Sequence, residues 1–181
     1  MKLRMRAMQA ALFAVFAIIS LQAQRDHAMK SPDQTIPGVY QRWLEEDVLW
    51  IITPEERSAF LRFSKDDQRD HFIEQFWWHR NPLPAAPENA FKEEHYRRLA
   101  YANTHFAATV AGYRTDRGRI YILYGPPDVM RTESPHVGEA FVKPTVFWHY
   151  RSIPEYGKDV DLKFVDECRC GKYRLESLPK N

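Results

Sequence analysis

The sequence predicts an α+β domain in which about four N-terminal helices pack on a small antiparallel β-meander of about three to four strands. Three observations predict it. Apolar residues recur at helical spacing from Tyr40 to Phe106. After Gly118 the period drops to two. Turn residues then cut the second half of the chain into short segments, and helices followed by such strands define the class.

The helices come first. Trp43, Leu44, Val48 and Leu49 predict a short helix over 40–51. Thr53-Pro54-Glu55-Glu56 predicts a second start, with Thr53 as cap, Pro54 in the first turn and Glu56 closing a capping box. Ser64 is the expected cap of a third helix, with Asp66 and Asp67 at its positive end. Phe72, Ile73, Phe76 and Trp77 form its apolar face, and Asn81-Pro82 ends it. A stiff connector carries Pro82, Pro84 and Pro87. Asn89 is the expected cap of a longer helix through Phe106, with Phe91, His95, Leu99, Ala102 and Phe106 as its inner stripe. Glu93–Arg97 and Glu94–Arg98 support it as i,i+4 pairs.

The strands come next. Ile120, Ile122 and Tyr124 alternate, which predicts a first strand over 119–124. Gly125-Pro126-Pro127-Asp128 is a turn, and 130–143 reads as an irregular loop. Val146, Trp148 and Tyr150 share one face of a second strand over 145–151. Val160, Leu162 and Phe164 share one face of a third over 160–166, and 172–176 is a short fourth.

The N-terminus bears on location. Lys2, Arg4 and Arg6 precede an apolar run from Ala10 to Leu21, and small Ala23 comes after it. That order is a secretory signal over 1–23. The run is about twelve residues, short of the ~20 needed to span a bilayer, so no membrane span is expected after cleavage. The expected location is periplasmic or extracellular. Residues 24–39 read as a flexible lead-in, 40–176 as a single domain and 177–181 as a tail. The 26 Lys+Arg and 24 Asp+Glu become 23 and 24 without the signal, a net charge of −1. The basic balance is lost with it, which leaves no electrostatic ground for nucleic-acid binding. With 11 Phe, 9 Tyr and 5 Trp the chain has ample material for a core.

Two polar concentrations could carry chemistry. Gly112-Tyr113-Arg114-Thr115-Asp116-Arg117-Gly118-Arg119 joins helix to sheet. As a binding surface it would use Tyr113, Asp116, Arg117 and Arg119, with arginine gripping a carboxylate or phosphate. As a structural corner its glycines supply turn geometry and Asp116 ties backbone amides. The second concentration is Glu93, Glu94, His95, Arg97 and Arg98, either an acid–base pair or a solvated helix face around one buried His95. The histidines at 71, 79, 95, 105, 136 and 149 form no metal-ligand spacing, and Cys168-x-Cys170 has no second pair. No metal or cofactor is therefore expected. In an exported protein the cysteines read as a local disulfide or two free thiols. Nucleophile-elbow, phosphate-loop and dinucleotide motifs are all missing.

The string from Gly112-Tyr113-Arg114-Thr115-Asp116 through Gly125-Pro126-Pro127-Asp128 resembles the GWxTD-domain family of exported bacterial proteins. So do Phe72–Trp77, Arg80-Asn81-Pro82, Glu94–Asn103, Trp148-x-Tyr150 and Phe164-Val165-Asp166. The resemblance covers about residues 40–176. One departure is Tyr113, where the family name has Trp. The family carries no assigned activity, so the resemblance implies no catalytic residue or cofactor. A looser, fold-level likeness runs through Tyr-Gly-Pro-Pro, Trp-x-Tyr and Phe-x-Asp on successive strands, similar to small envelope-assembly lipoproteins. The expected function is a non-catalytic envelope module that binds a protein or peptide partner. The alternative is a hydrolase-like periplasmic enzyme using Glu94, His95 and Asp116.

Overall fold

A computed structural model describes residues 36–133 and 142–176. The expected signal, the lead-in up to residue 35 and the tail from 177 lie outside the described residues. Met1–Ile36 and Pro37–Asn181 form separate units, and the helices and strands of the described residues belong to the second.

Helix α1, Gly38–Arg42, widens into a π-helical turn over Trp43–Asp47, closed by the Val48 N–H donating to the Trp43 carbonyl at 3.0 Å. Helix α2, Pro54–Leu61, starts as its capping box requires: the Thr53 hydroxyl accepts the Glu56 N–H at 3.2 Å, and the Glu56 carboxylate accepts the Thr53 N–H at 2.9 Å. Helix α3, Asp66–His79, begins after Lys65 rather than Ser64, because the Gln68 side chain reaches back to the Lys65 N–H. These three elements close an aromatic core in which Trp43 meets Phe60 at 5.0 Å and Phe76 at 5.2 Å between ring centroids. Arg69 is buried beneath it, donating to Asp66 Oδ1 at 2.7 Å and to the Phe63 carbonyl at 2.6 Å.

Helix α4, Ala90–Phe106, is capped by Asn89, whose side chain accepts the Lys92 N–H at 3.0 Å. His95, Leu99, Ala102 and Phe106 are buried along its inner side, while Phe91 is 38% exposed at the rim. A second core forms where α4 meets the sheet. It holds Val146, Trp148 and Tyr150 on one strand and Val160, Leu162 and Phe164 on the next. Trp148, Leu162 and Phe164 are fully enclosed. Burial of side chains this large stabilises by about 1.5–3 kcal/mol each.

The sheet is a four-stranded antiparallel meander, β1 Val129–Glu133, β2 Thr145–Ile153, β3 Gly157–Val165 and β4 Arg174–Leu175. Val146 pairs with Phe164 and Trp148 with Leu162, so the two apolar rows share one face. Strand β1 corrects the expected loop over 130–143. It pairs Val129–Glu133 with His149–Thr145, yet is exposed on both faces, so it carries no alternating apolar signal. Residues 134–141 lie outside the described residues. With helices in front of a meander the domain is α+β.

The expected strand over 119–124 is instead helix α5, Asp116–Tyr124. Thr115 caps it, its hydroxyl accepting the Gly118 N–H at 3.0 Å. Ile120 and Ile122 are both buried, and Tyr121, Leu123 and Tyr124 are half-buried. The helix is enclosed on more than one side, which makes i and i+2 both apolar without a strand. Gly125 stops it with φ +82°. The fold-level likeness drawn through successive strands therefore loses its first strand.

Gly118 sits inside α5 where a Cβ would lie 1.9 Å from the Gly112 carbonyl oxygen. Alanine is ordinarily worth ~1 kcal/mol over glycine in a helix, but overpacking against backbone costs about 1–3 kcal/mol or more. We therefore expect Gly118→Ala to lower stability in urea unfolding by about 2 kcal/mol or more. A stabilised variant would mean that α5 does not pack against the Gly112 turn.

Candidate functional site

The corner that the sequence singles out is a 3₁₀ turn, Gly112–Arg114, leading into α5. A Cβ on Gly112 would lie 1.9 Å from the Ala102 carbonyl oxygen, so only glycine allows the turn to touch α4. The Tyr113 N–H donates to Asn103 Oδ1 at 3.0 Å, and the Trp50 indole N–H donates to the Tyr113 carbonyl at 2.8 Å. The Tyr113 ring is buried, and its hydroxyl accepts Arg114 Nε at 2.7 Å. The buried Thr115 hydroxyl donates to the Gly112 carbonyl at 2.7 Å while capping α5.

Asp116 opens α5, where the helix dipole favours a carboxylate. Its Oδ2 accepts the Leu175 N–H at 2.9 Å, and its Oδ1 lies 3.7 Å from Arg174. That pins β4 to the start of α5. Arg117 stacks its guanidinium over the Tyr173 ring at 4.1 Å and the Phe106 ring at 5.1 Å, and it donates to the Gly171 carbonyl at 3.4 Å. Burial lowers its pKa from the usual guanidinium value. Arg119 lies 5.7 Å from the Trp50 ring centroid. Its buried Nε has no hydrogen-bond partner among the described residues.

The structure thus brings Tyr113, Asp116, Arg117 and Arg119 into one corner, each engaged within the chain. Of the four, Asp116 lines an open cleft of about 420 Å³. Leu49, Trp50, Val110 and Tyr173 supply its apolar side, and Arg114, Lys172 and Arg174 its charged side. Sequence pattern marks none of these seven as a site residue. Arg114 carries the nearest signal, inside the same motif; Trp50 and residues 172–174 reach the cleft only through tertiary contacts.

Glu94 and His95 line a different cleft of about 350 Å³, with Phe91, Arg98 and Ile122. His95 lies eight residues before Asn103 on α4, a rise of about 12 Å, and it is Asn103 that contacts the corner holding Asp116. The three residues of the enzyme alternative are therefore not assembled into one site. Glu94 pairs with Arg97 and, at 2.8 Å, with Arg98; the Arg98 hydrogen bond holds its carboxyl below the usual range. His95 is buried, its Nε2 2.5 Å from the Asp47 carbonyl at the end of the π turn, where helical carbonyls lack a partner within the helix. Burial pushes its pKa below 6.5.

Cys168 and Cys170 form a disulfide. Beside it the buried Asp166 carboxylate accepts the Cys170 N–H at 3.2 Å and the Gly171 N–H at 2.7 Å. This loop delivers Lys172–Arg174 to the cleft. With Asp166 these cysteines form the one metal-type cluster among the described residues, and the disulfide occupies both sulfurs.

A helical layer on an antiparallel meander, joined through a Gly-aromatic-x-Thr-Asp corner, is a small α+β class of domain. The chain belongs to the GWxTD-domain family, whose domain it matches over residues 19–168. No curated protein and no solved structure matches it. Among the described residues no helix is long and apolar enough to cross a membrane. Tyr113 occupies the tryptophan position of the motif. An indole only donates, so the bond from Arg114 Nε requires the tyrosine hydroxyl.

Removing the Asp116 carboxylate leaves the Leu175 N–H without its partner. Asp116→Ala should lower stability by about 1–2 kcal/mol and speed hydrogen exchange at the Leu175 amide. Unchanged exchange at that amide would show that the tie does not hold β4. His95 supplies a pH dependence. A base whose folded pKa lies below its unfolded value binds fewer protons in the native state, so stability falls as pH drops below about 6.5 and levels off below the folded pKa. His95→Gln should flatten this slope in thermal melts between about pH 5 and pH 7. A slope that survives the substitution would assign it to another group.

Proposed function

We propose that the chain is a non-catalytic interaction module of the cell envelope that binds a protein or peptide partner through the cleft beside the GWxTD corner. The observation that carries this reading is the composition of the cleft. Trp50 and Tyr173 line the same cleft of about 420 Å³ as Arg114, Lys172 and Arg174. Aromatic residues and arginine are the usual anchors of protein recognition, and that volume suits the side chains of a bound segment. The envelope location rests on the signal pattern over residues 1–23. The enzyme alternative gains nothing from the geometry, because its acid–base residues are divided between two clefts.

Lys172 makes no hydrogen bond or ion pair among the described residues, so it tests the cleft without touching the fold. Affinity capture from the native envelope, with the chain from residue 24 as bait, should retain a stable protein partner. Lys172→Glu should reduce its recovery at least tenfold with an unchanged melting temperature. An empty capture, or equal recovery by the variant, would reject this reading.

A further inference from the structure

We infer that the partner is anchored by a carboxylate: the cleft fits an acidic peptide segment in which Asp or Glu adjoins an apolar or aromatic residue. This rests on the proposed binding function and adds the chemistry of the ligand.

The charge of the cleft is unbalanced by its own walls. Arg114, Lys172 and Arg174 face a single carboxylate, Asp116. Asp116 commits one oxygen to the Leu175 N–H, and its other oxygen meets Arg174 only at 3.7 Å. Arg114 spends Nε on the Tyr113 hydroxyl, leaving two guanidinium nitrogens that bond to nothing among the described residues. Glu45 and Glu46 attract Arg114 at longer range without a hydrogen bond to it. A guanidinium edge and an ammonium with open donors are suited to a carboxylate, which accepts both at once.

The apolar half of the cleft says what adjoins that carboxylate. Trp50 is fixed by its indole bond to the Tyr113 carbonyl, and Tyr173 is held by the Arg117 guanidinium 4.1 Å above its ring. Both walls are set before any ligand arrives, which reduces the ordering cost of binding. Inorganic phosphate would engage the cations and leave these walls wet. A peptide with an acidic side chain next to a Leu, Phe or Trp covers both halves.

The test is selection of a phage-displayed library of random dodecapeptides on the immobilised chain from residue 24. The wild type should enrich sequences with Asp or Glu beside an aromatic or Leu. The best peptide, made synthetically, should bind in isothermal titration calorimetry, weaken with added salt, and lose at least tenfold in affinity when its acids become Asn or Gln. Arg114→Glu combined with Lys172→Glu should lose at least tenfold as well. If that double variant does not fold, the amide peptides on wild type decide alone. Enrichment of neutral or basic peptides that still lose binding to Lys172→Glu would overturn the carboxylate inference and leave the proposed binding function standing. Binding of inorganic phosphate with no peptide enriched overturns both, as does no ligand at all.

Discussion

The backbone contact of Gly112 with the Ala102 carbonyl sets the path of the whole chain beyond it. No side chain fits in that gap. The chain must therefore leave α4, turn at once against its C-terminal half, and run into α5. A second contact of the same kind, Gly118 on the Gly112 carbonyl, stacks α5 on the turn. Thr115 is the hinge pin between them, bonded to both ends of the step. Two close approaches and one hydroxyl thereby orient Asp116 toward the last strand. The Gly-x-x-Thr-Asp spacing is a consequence of this geometry: the glycine needs contact, the threonine needs the cap, and the aspartate needs the first turn of the helix.

The domain has two cores, and its elements are joined by polar bonds as well as by the Trp77 ring of α3 against Phe91, His95 and Tyr96 of α4. Glu56 receives Arg80 at 2.7 Å, and the same guanidinium donates to the Ile51 carbonyl at 3.1 Å, joining α2 and α3 to the connector between the first helices. His95 and Tyr96 of α4 both bond to Asp47 at the end of the π turn, and burial is what raises the Asp47 carboxyl. Trp50 reaches across to the Tyr113 carbonyl. Such bonds add little net stability, on the order of 1 kcal/mol each, but leaving a buried partner unmatched is expensive. They fix how the helical aromatics sit relative to the sheet more than how tightly either core packs.

Where local chemistry decides the structure, the residues announce it. Thr53-Pro54-Glu56 and Asn89 mark helix starts whose bonds close within three residues. The inward rows of β2 and β3 alternate because one face meets the helices and the other does not. The misreadings occur where tertiary surroundings override that logic. Nine residues of α5 are covered on more than one side, so Ile120 and Ile122 imitate a strand. Strand β1 is covered on neither, so it imitates a loop. The corner motif is visible in the sequence, but its residues suit a surface as well as a joint. Tertiary bonds show the joint: Asp116 accepts the Leu175 N–H, Arg117 donates to the Gly171 carbonyl and Trp50 donates to the Tyr113 carbonyl, each between residues more than fifty apart. The cleft is not legible for the same reason: its walls come from three distant stretches.

Those three stretches assign different duties to different residues. Gly112, Thr115 and Asp116 act on the backbone as contact, cap and tie, and Asp116 and Asp166 together hold the loop and strand that carry residues 172–174. Arg114, Lys172 and Arg174 carry no comparable duty; two are exposed, and Lys172 is bonded to nothing among the described residues. The family match ends at residue 168, so Lys172, Tyr173 and Arg174 lie beyond it. If the cleft binds as proposed, the motif that defines the family positions it, and Arg114 within the motif, with Lys172 and Arg174 beyond the family match, gives it a preference. A change at Gly112, Thr115 or Asp116 would then register as lost stability, and a change at Lys172 as lost binding in a protein that still folds. On that reading, separating fold-setting from ligand-facing groups would let one framework accept a different ligand without loss of the fold.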